Sequence, residues 1–213
     1  MACKYKYVFL LGRPGCGKSA VYRQIEKRAK ETGLANSFER VDDFPKLWNK
    51  FQSDNKLEEQ GKKRKYSVKT ADGGYLVTND GVWDEILKEL NDDIINKSRE
   101  DHLIFIEFSR PNYIHSLKNF SKKILNEAIV VYIDVDFDTC WARNVARHEK
   151  ALAEGTDDHL VSRDEMEKTY KYDDGQELIK KQPIPVIRVD NQKEGEEHLI
   201  KEVEKVIEQL KCK

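Results

Sequence analysis

Cysteine is scarce in this sequence and follows no ligand pattern. Cys3, Cys16, Cys140 and Cys212 show no C-x-x-C spacing and no accompanying histidine cluster, which argues against a cysteine-bound metal and against a disulfide framework. Reduced thiols fit a cytoplasmic protein. Long apolar runs are missing too: the longest, around 103–106 and 128–133, are strand-sized, far short of the ~20 residues of a membrane-spanning helix. The N-terminus carries no apolar signal-peptide region. Neither sign of charge dominates. Lys plus Arg number 38 and Asp plus Glu 39, a net charge of −1, so the composition does not support a general nucleic-acid or membrane-surface binder. Repeats and low-complexity tracts are absent, and 213 residues suit a single domain with one well-buried core.

Against this plain background one segment is specific. Gly12, Arg13, Pro14, Gly15, Cys16, Gly17, Lys18 and Ser19 fill the phosphate-binding pattern G-x-x-x-x-G-K-[ST] without a mismatch. Glycines at 12, 15 and 17 let the backbone curl with positive φ and aim successive N–H groups at one anion. Lys18 is expected on the β- and γ-phosphates and Ser19 on Mg²⁺, with the positive end of the following helix behind them. The context fits, because an apolar strand-like run precedes the motif and the helical stripe Val21, Ile25, Ala29 follows it. Cys16 is read as a small filler, with oxidation sensitivity the alternative.

Strand-like runs at 5–11, 37–41, 103–108, 129–135 and 185–189 alternate with helix-like segments, which predicts an α/β fold with a parallel sheet covered on both faces. The stripe Val82, Ile86, Leu87, Leu90, Ile94 reads as a core helix behind an Asn79-Asp80 cap. Residues 55–79 break the alternation. They hold the basic run Lys62 to Lys65 and an Asp72-Gly73 turn between β-prone runs, a hairpin signal, and are expected to form a flap over the acceptor side. The basic run is open to three readings: a solvated loop, contact with a phosphorylated acceptor, or nucleic acid.

Three places can carry chemistry beyond the phosphate loop. Asp42 and Asp43 close the second strand, where ligand crevices of open α/β sheets lie; one is expected to orient or deprotonate an acceptor hydroxyl and the other to cap the next helix, which Pro45 opens. Glu107 ends an apolar strand in the manner of a Walker B carboxylate, facing the metal or the acceptor, with Asp134 as its rival; Arg110 is a candidate ligand for an acceptor phosphate or carboxylate. Arg143 and Arg147, four apart on a predicted helix, can gather charge on a transferring phosphoryl group. The polar stretch 155–182, with Asp157, Asp158, His159 and Arg163, reads as a mobile lid in which His159 is an ordinary loop residue.

Taken in order, the phosphate loop, the Asp-Asp strand end, the carboxylate strand end, the R-x-x-x-R helix and the late Val189-Asp190-Asn191 strand end resemble the P-loop nucleoside and nucleotide kinase superfamily, the adenylate-kinase-like group. That resemblance spans essentially the whole chain. It implies a five-stranded parallel sheet of order 2-3-1-4-5, use of ATP and Mg²⁺, lid closure, and adenine stacking near Asn191 and Gln192. The third strand end, Glu107-Phe-Ser-Arg-Pro111, departs from both the D-G-F-P-R of nucleoside monophosphate kinases and the E-R-S of deoxynucleoside kinases. The expected activity is therefore ATP-dependent phosphoryl transfer to a small-molecule acceptor, nucleosides and nucleotides among the candidates. The alternative is a nucleotide switch or ATPase of the same fold with a macromolecular partner, although the guanine-reading N-K-x-D is absent. Oligomeric state is not readable.

Overall fold

The apolar run that precedes the phosphate loop forms the central strand β1 (Tyr7–Leu11), in which every residue is buried. A strand covered on both faces needs apolar side chains at successive positions, and β1 supplies them. The computed structural model describes residues 4–211 except 98, 157–159, 182 and 194; Asp157, Asp158, His159 and Gln182 of the expected lid, and Cys3 and Cys212, lie outside the described residues. After β1 come α1 (Lys18–Glu31), β2 (Ser37–Asp42), α2 (Phe44–Glu59), the antiparallel hairpin β3 (Ser67–Lys69) and β4 (Tyr75–Val77), α3 (Gly81–Ile94), and β5 (His102–Phe108). Two short helices, α4 (Tyr113–Ser116) and α5 (Lys122–Leu125), lead to β6 (Ala128–Asp134) and α6 (Phe137–Glu154). The chain closes with α7 (Arg163–Glu165), a π-helical turn (Met166–Tyr170), α8 (Gly175–Lys181), β7 (Val186–Asp190) and α9 (Glu196–Leu210).

Five parallel strands form one sheet in the order β2-β5-β1-β6-β7. The labels differ from the expected 2-3-1-4-5 because the hairpin takes β3 and β4; counted within the sheet alone, the succession is the same. Alternate residues of β1 serve opposite faces. Val8 and Leu10 pack with Val21 and Ile25 of α1 and Val203 and Val206 of α9, whereas Phe9 and Leu11 pack with Leu87 and Leu90 of α3 and Leu178 of α8. A third cluster joins Leu47 and Phe51 of α2 to Tyr66, Val77 and Trp83. It hangs the hairpin beside the C-terminal strand ends.

The hairpin is fixed by a buried carboxylate. Asp54 Oδ1 accepts from the backbone N–H of Lys65 at 2.7 Å, and Oδ2 from those of Tyr66 at 2.9 Å and Ser67 at 2.7 Å. The expected flap therefore starts later than 55, since α2 continues to Glu59. The basic run has mostly local partners: Arg64 donates to Ser67 O at 2.7 Å and Asn55 Oδ1 at 2.8 Å, and Lys65 to Tyr66 Oη at 2.8 Å.

The expected lid, 155–182, is too long. Met166 and Leu178 are fully buried, one in each apolar layer, so motion of that whole segment would break the core. Polar composition concealed this, because several of the residues that reach inward, Ser162, Glu165 and Thr169 among them, are themselves polar. Among the described residues, no helix is long and apolar enough to cross a membrane.

Candidate active site

The phosphate loop is built as its glycines require. Gly17 caps α1 with φ 95°, a conformation that L side chains rarely adopt, and a Cβ there would run into the Asn191 amide. That amide donates to Cys16 O at 2.8 Å, so the loop after β7 supports the phosphate loop from behind. Lys18 is folded inward, its Nζ bonded to Gly12 O and Arg13 O at 3.0 Å and to Ser109 Oγ at 2.8 Å. Arg13 turns away from the hollow: it donates to Tyr170 O at 2.8 Å and Val135 O at 3.0 Å and pairs with Asp173 at 3.0 Å. Cys16 is fully buried, and burial pushes its thiol pKa up despite the nearby Lys18. The filler reading fits that setting.

One nitrogen brings the expected metal ligands together. Arg40 Nη2 contacts Ser19 Oγ at 2.8 Å and Glu107 Oε2 at 2.5 Å. Two oxygens that share one cationic nitrogen converge on a cation-sized position, and a hydroxyl plus a carboxylate is a donor set suited to Mg²⁺ with phosphate and water completing the shell. Asp134 is elsewhere: it pairs with Arg188 at 2.7 Å and accepts from Gln176 at 3.2 Å.

The two aspartates separate. Asp43 occupies the N-cap position of α2, but its side chain makes no capping bond; instead Asp42 Oδ1 accepts from Phe44 N–H at 2.9 Å. Of the expected pair, Asp42 thus supplies the capping oxygen, and the Asp43 carboxylate is drawn inward to Arg110 Nη2 at 2.5 Å. Burial raises the Asp43 pKa to about 6, with Arg110 working in the other direction. Arg110 sits over Trp83, its Cζ 4.3 Å from the ring centroid, and its Nε is buried without a hydrogen-bond partner. Around the pair stand aromatic rings from three elements: Trp48 packs edge-on to Tyr75 at 5.7 Å and Phe51 stacks on Tyr75 at 4.6 Å. Glu165 closes the roof. Ser162 Oγ accepts from its N–H at 3.1 Å, while its carboxylate accepts from Val77 N–H at 2.7 Å.

Arg143 and Arg147 both face the cavity. Arg143 is engaged at the loop after β7, donating to Asn191 O at 3.0 Å and Gln192 O at 3.4 Å; Arg147 contacts Asn144 Oδ1 at 3.3 Å. Gln192 is tied to the start of α6, accepting from Asp136 N–H at 2.9 Å and donating to Thr139 Oγ1 at 2.8 Å. A single cavity of about 520 Å³ is lined by Lys18, Ser19, Asp43, Glu107, Arg110 and Arg147 together with the aromatic wall.

No family model matches this chain, and no curated protein does. Solved structures do match. One is an APS kinase from Mycobacterium tuberculosis in complex with AMPPNP and APS: TM-score 0.54, 18% identity, 97% of this chain and 98% of that one covered. The fold is that of the P-loop small-molecule kinases. A gluconokinase from Sinorhizobium meliloti shares it, with TM-score 0.52, 13% identity, and 97% and 96% covered. Of the residues that line this cavity, sequence reasoning had already singled out Lys18, Ser19, Asp42, Asp43, Glu107, Arg110, Arg143 and Arg147. It missed Arg40, Ser109, Glu165 and the aromatic wall. For Arg40 the sequence offers only that it precedes Asp42 by two residues on a strand, so both share a face; it is the observed register, which pairs Asp42 with Glu107, that brings it to Glu107.

Proposed function

We propose that this protein is an ATP- and Mg²⁺-dependent kinase that transfers the γ-phosphoryl group to a hydroxyl of a small molecule. One observation carries the reading: a phosphate-loop lysine and a buried aspartate with a pKa near 6 line the same cavity. In the proposed reaction Lys18 leaves the Gly12 and Arg13 carbonyls for the β- and γ-phosphates, and the loop amides hold the β-phosphate. Asp43 accepts the proton of the acceptor hydroxyl as its oxygen bonds to the γ-phosphorus and the bond to the β-phosphate oxygen breaks, which leaves ADP. A carboxylate of pKa near 6 is largely ionised at neutral pH and basic enough to take part. Mg²⁺, for which Ser19 and Glu107 are suited, supplies charge neutralisation on the phosphate oxygens. Arg147, and Arg143 once released from the loop after β7, add charge stabilisation.

The acceptor end favours an acceptor with a flat or apolar body. Phe44, Trp48, Phe51, Tyr75 and Trp83 line it, and a small polyol would leave those rings without complementary surface, whereas a nucleobase stacks on them. Nucleosides and nucleotides are thus the first acceptors to test. Incubation with MgATP and a nucleoside and nucleotide panel should yield ADP and a phosphorylated acceptor in equal amounts, and Lys18→Ala should abolish both. ADP and inorganic phosphate without any acceptor product would favour an ATPase or switch of the same fold.

A further inference from the structure

Arg40 stands where the expected metal ligands converge. Its Nη2 donates to Ser19 Oγ and to Glu107 Oε2, and Nε adds a bond to the same carboxylate oxygen at 2.8 Å. The two partners differ in solvation. Glu107 is 7% exposed, so its charge needs a cation on its open side; the Arg40 side chain projects from the edge strand β2, is 31% exposed, and lies 5.5 Å from the Tyr22 ring. A buried acid held by a half-solvated base leaves the base as the member that can move.

We propose, resting on the phosphoryl-transfer reading above, that Arg40 is a resident cation at the metal position: it holds Ser19 and Glu107 in the nucleotide-free protein and keeps bare divalent ions out. A divalent ion and a guanidinium cannot share these oxygens, because like charges at such separations repel strongly in a partly desolvated site. Nucleotide reverses the balance. Its phosphates bring negative charge enough for both, so the ion takes the oxygens and Arg40 turns along the cavity wall it already lines. The device selects the metal–nucleotide complex over the metal alone.

The test is Mn²⁺ binding without nucleotide, followed by the electron paramagnetic resonance of free Mn²⁺. Arg40→Gln should bind Mn²⁺ at least tenfold more tightly than the unmodified protein, Arg40→Lys should stay within about threefold of it, and adding Glu107→Gln to Arg40→Gln should abolish the gain. Equal affinity in Arg40→Gln and the unmodified protein, or a gain that survives Glu107→Gln, overturns the proposal. A measurement on the unmodified protein guards against misfolding of the variant: the Arg40 Nε–H resonance should persist when Mg²⁺ alone is added and shift or vanish with Mg·ADP. Persistence in both overturns it as well. ADP affinity in Lys18→Ala tests the underlying reading separately, because undiminished affinity there defeats the nucleotide site whatever Mn²⁺ does.

Discussion

Adjacent aspartates at the end of β2 acquire different chemistry from one turn of backbone. Asp42 faces the start of α2 and is spent on Phe44 N–H, while Asp43 is buried beside Arg110. Asp43→Asn should lower the transfer rate by about two orders of magnitude or more with little change in nucleotide affinity, and Asp42→Asn, which keeps an acceptor oxygen for the cap, should leave the rate nearly intact. Rate measurements beside nucleotide titrations check both. The unmodified rate should climb through pH 6 as Asp43 ionises, and that limb should be missing from Asp43→Asn. Stability runs the other way: a carboxyl raised from 3.8 to about 6 contributes stability that is present below 3.8 and lost as pH rises through about 6. At Gly17 an alanine meets both an unfavourable φ and the Asn191 amide, so Gly17→Ala should cost roughly 1–3 kcal/mol and weaken nucleotide binding, as read by urea unfolding and calorimetric titration. The phosphate loop was legible in the sequence because its function demands residue types at fixed spacing. The division of labour between Asp42 and Asp43 was not, since burial and the approach of Arg110 from residue 110 decide it. Arg40 likewise reads as an ordinary charge on an edge strand until β5 lies beside it.

At the scale of elements, the hairpin and the segment after α6 form one roof. Ser162 Oγ donates to Tyr75 O at 3.1 Å, Arg163 N–H to Asp72 at 3.0 Å, and Lys168 Nζ to Val77 O at 2.6 Å. Sequence patterns named a flap and a lid as separate elements, because nothing in either segment announces contacts about 90 residues apart in the chain. Asp54 anchors this roof from below. Burial pushes its carboxyl up, but the N–H groups of Lys65, Tyr66 and Ser67 and the Ser67 hydroxyl outweigh that and hold it below 3.8, so its stabilisation is present above 3.8 and lost as pH falls through the depressed value. Asp54→Ala strands these donors and should destabilise the protein by roughly 3 kcal/mol, with faster amide exchange across 66–77 by hydrogen-exchange mass spectrometry. In the same experiment on the unmodified protein, amides of 166–170 and 176–181 should be protected without ligand, as core packing of Met166 and Leu178 demands. Fast exchange there would restore the longer lid.

For the molecule as a whole, the sheet order places β5 between β1 and β2, and this puts Glu107, Asp43 and the phosphate loop at neighbouring strand ends. The alternation of strand and helix was readable because buried parallel strands are continuous apolar runs and the covering helices carry regular stripes. The cavity was not, since its aromatic wall draws on α2, the hairpin and α3, and its charged floor on β2, β5 and α6. The central claim is that donor and acceptor share this one cavity and exchange a phosphoryl group in it. Phosphorus-31 NMR of the protein with MgATP and a small-molecule metabolite extract tests that most directly. The account predicts a phosphomonoester signal growing in step with ADP and lost in both Lys18→Ala and Asp43→Asn, whereas ADP and inorganic phosphate appearing alone, at a rate indifferent to Asp43→Asn, would contradict it.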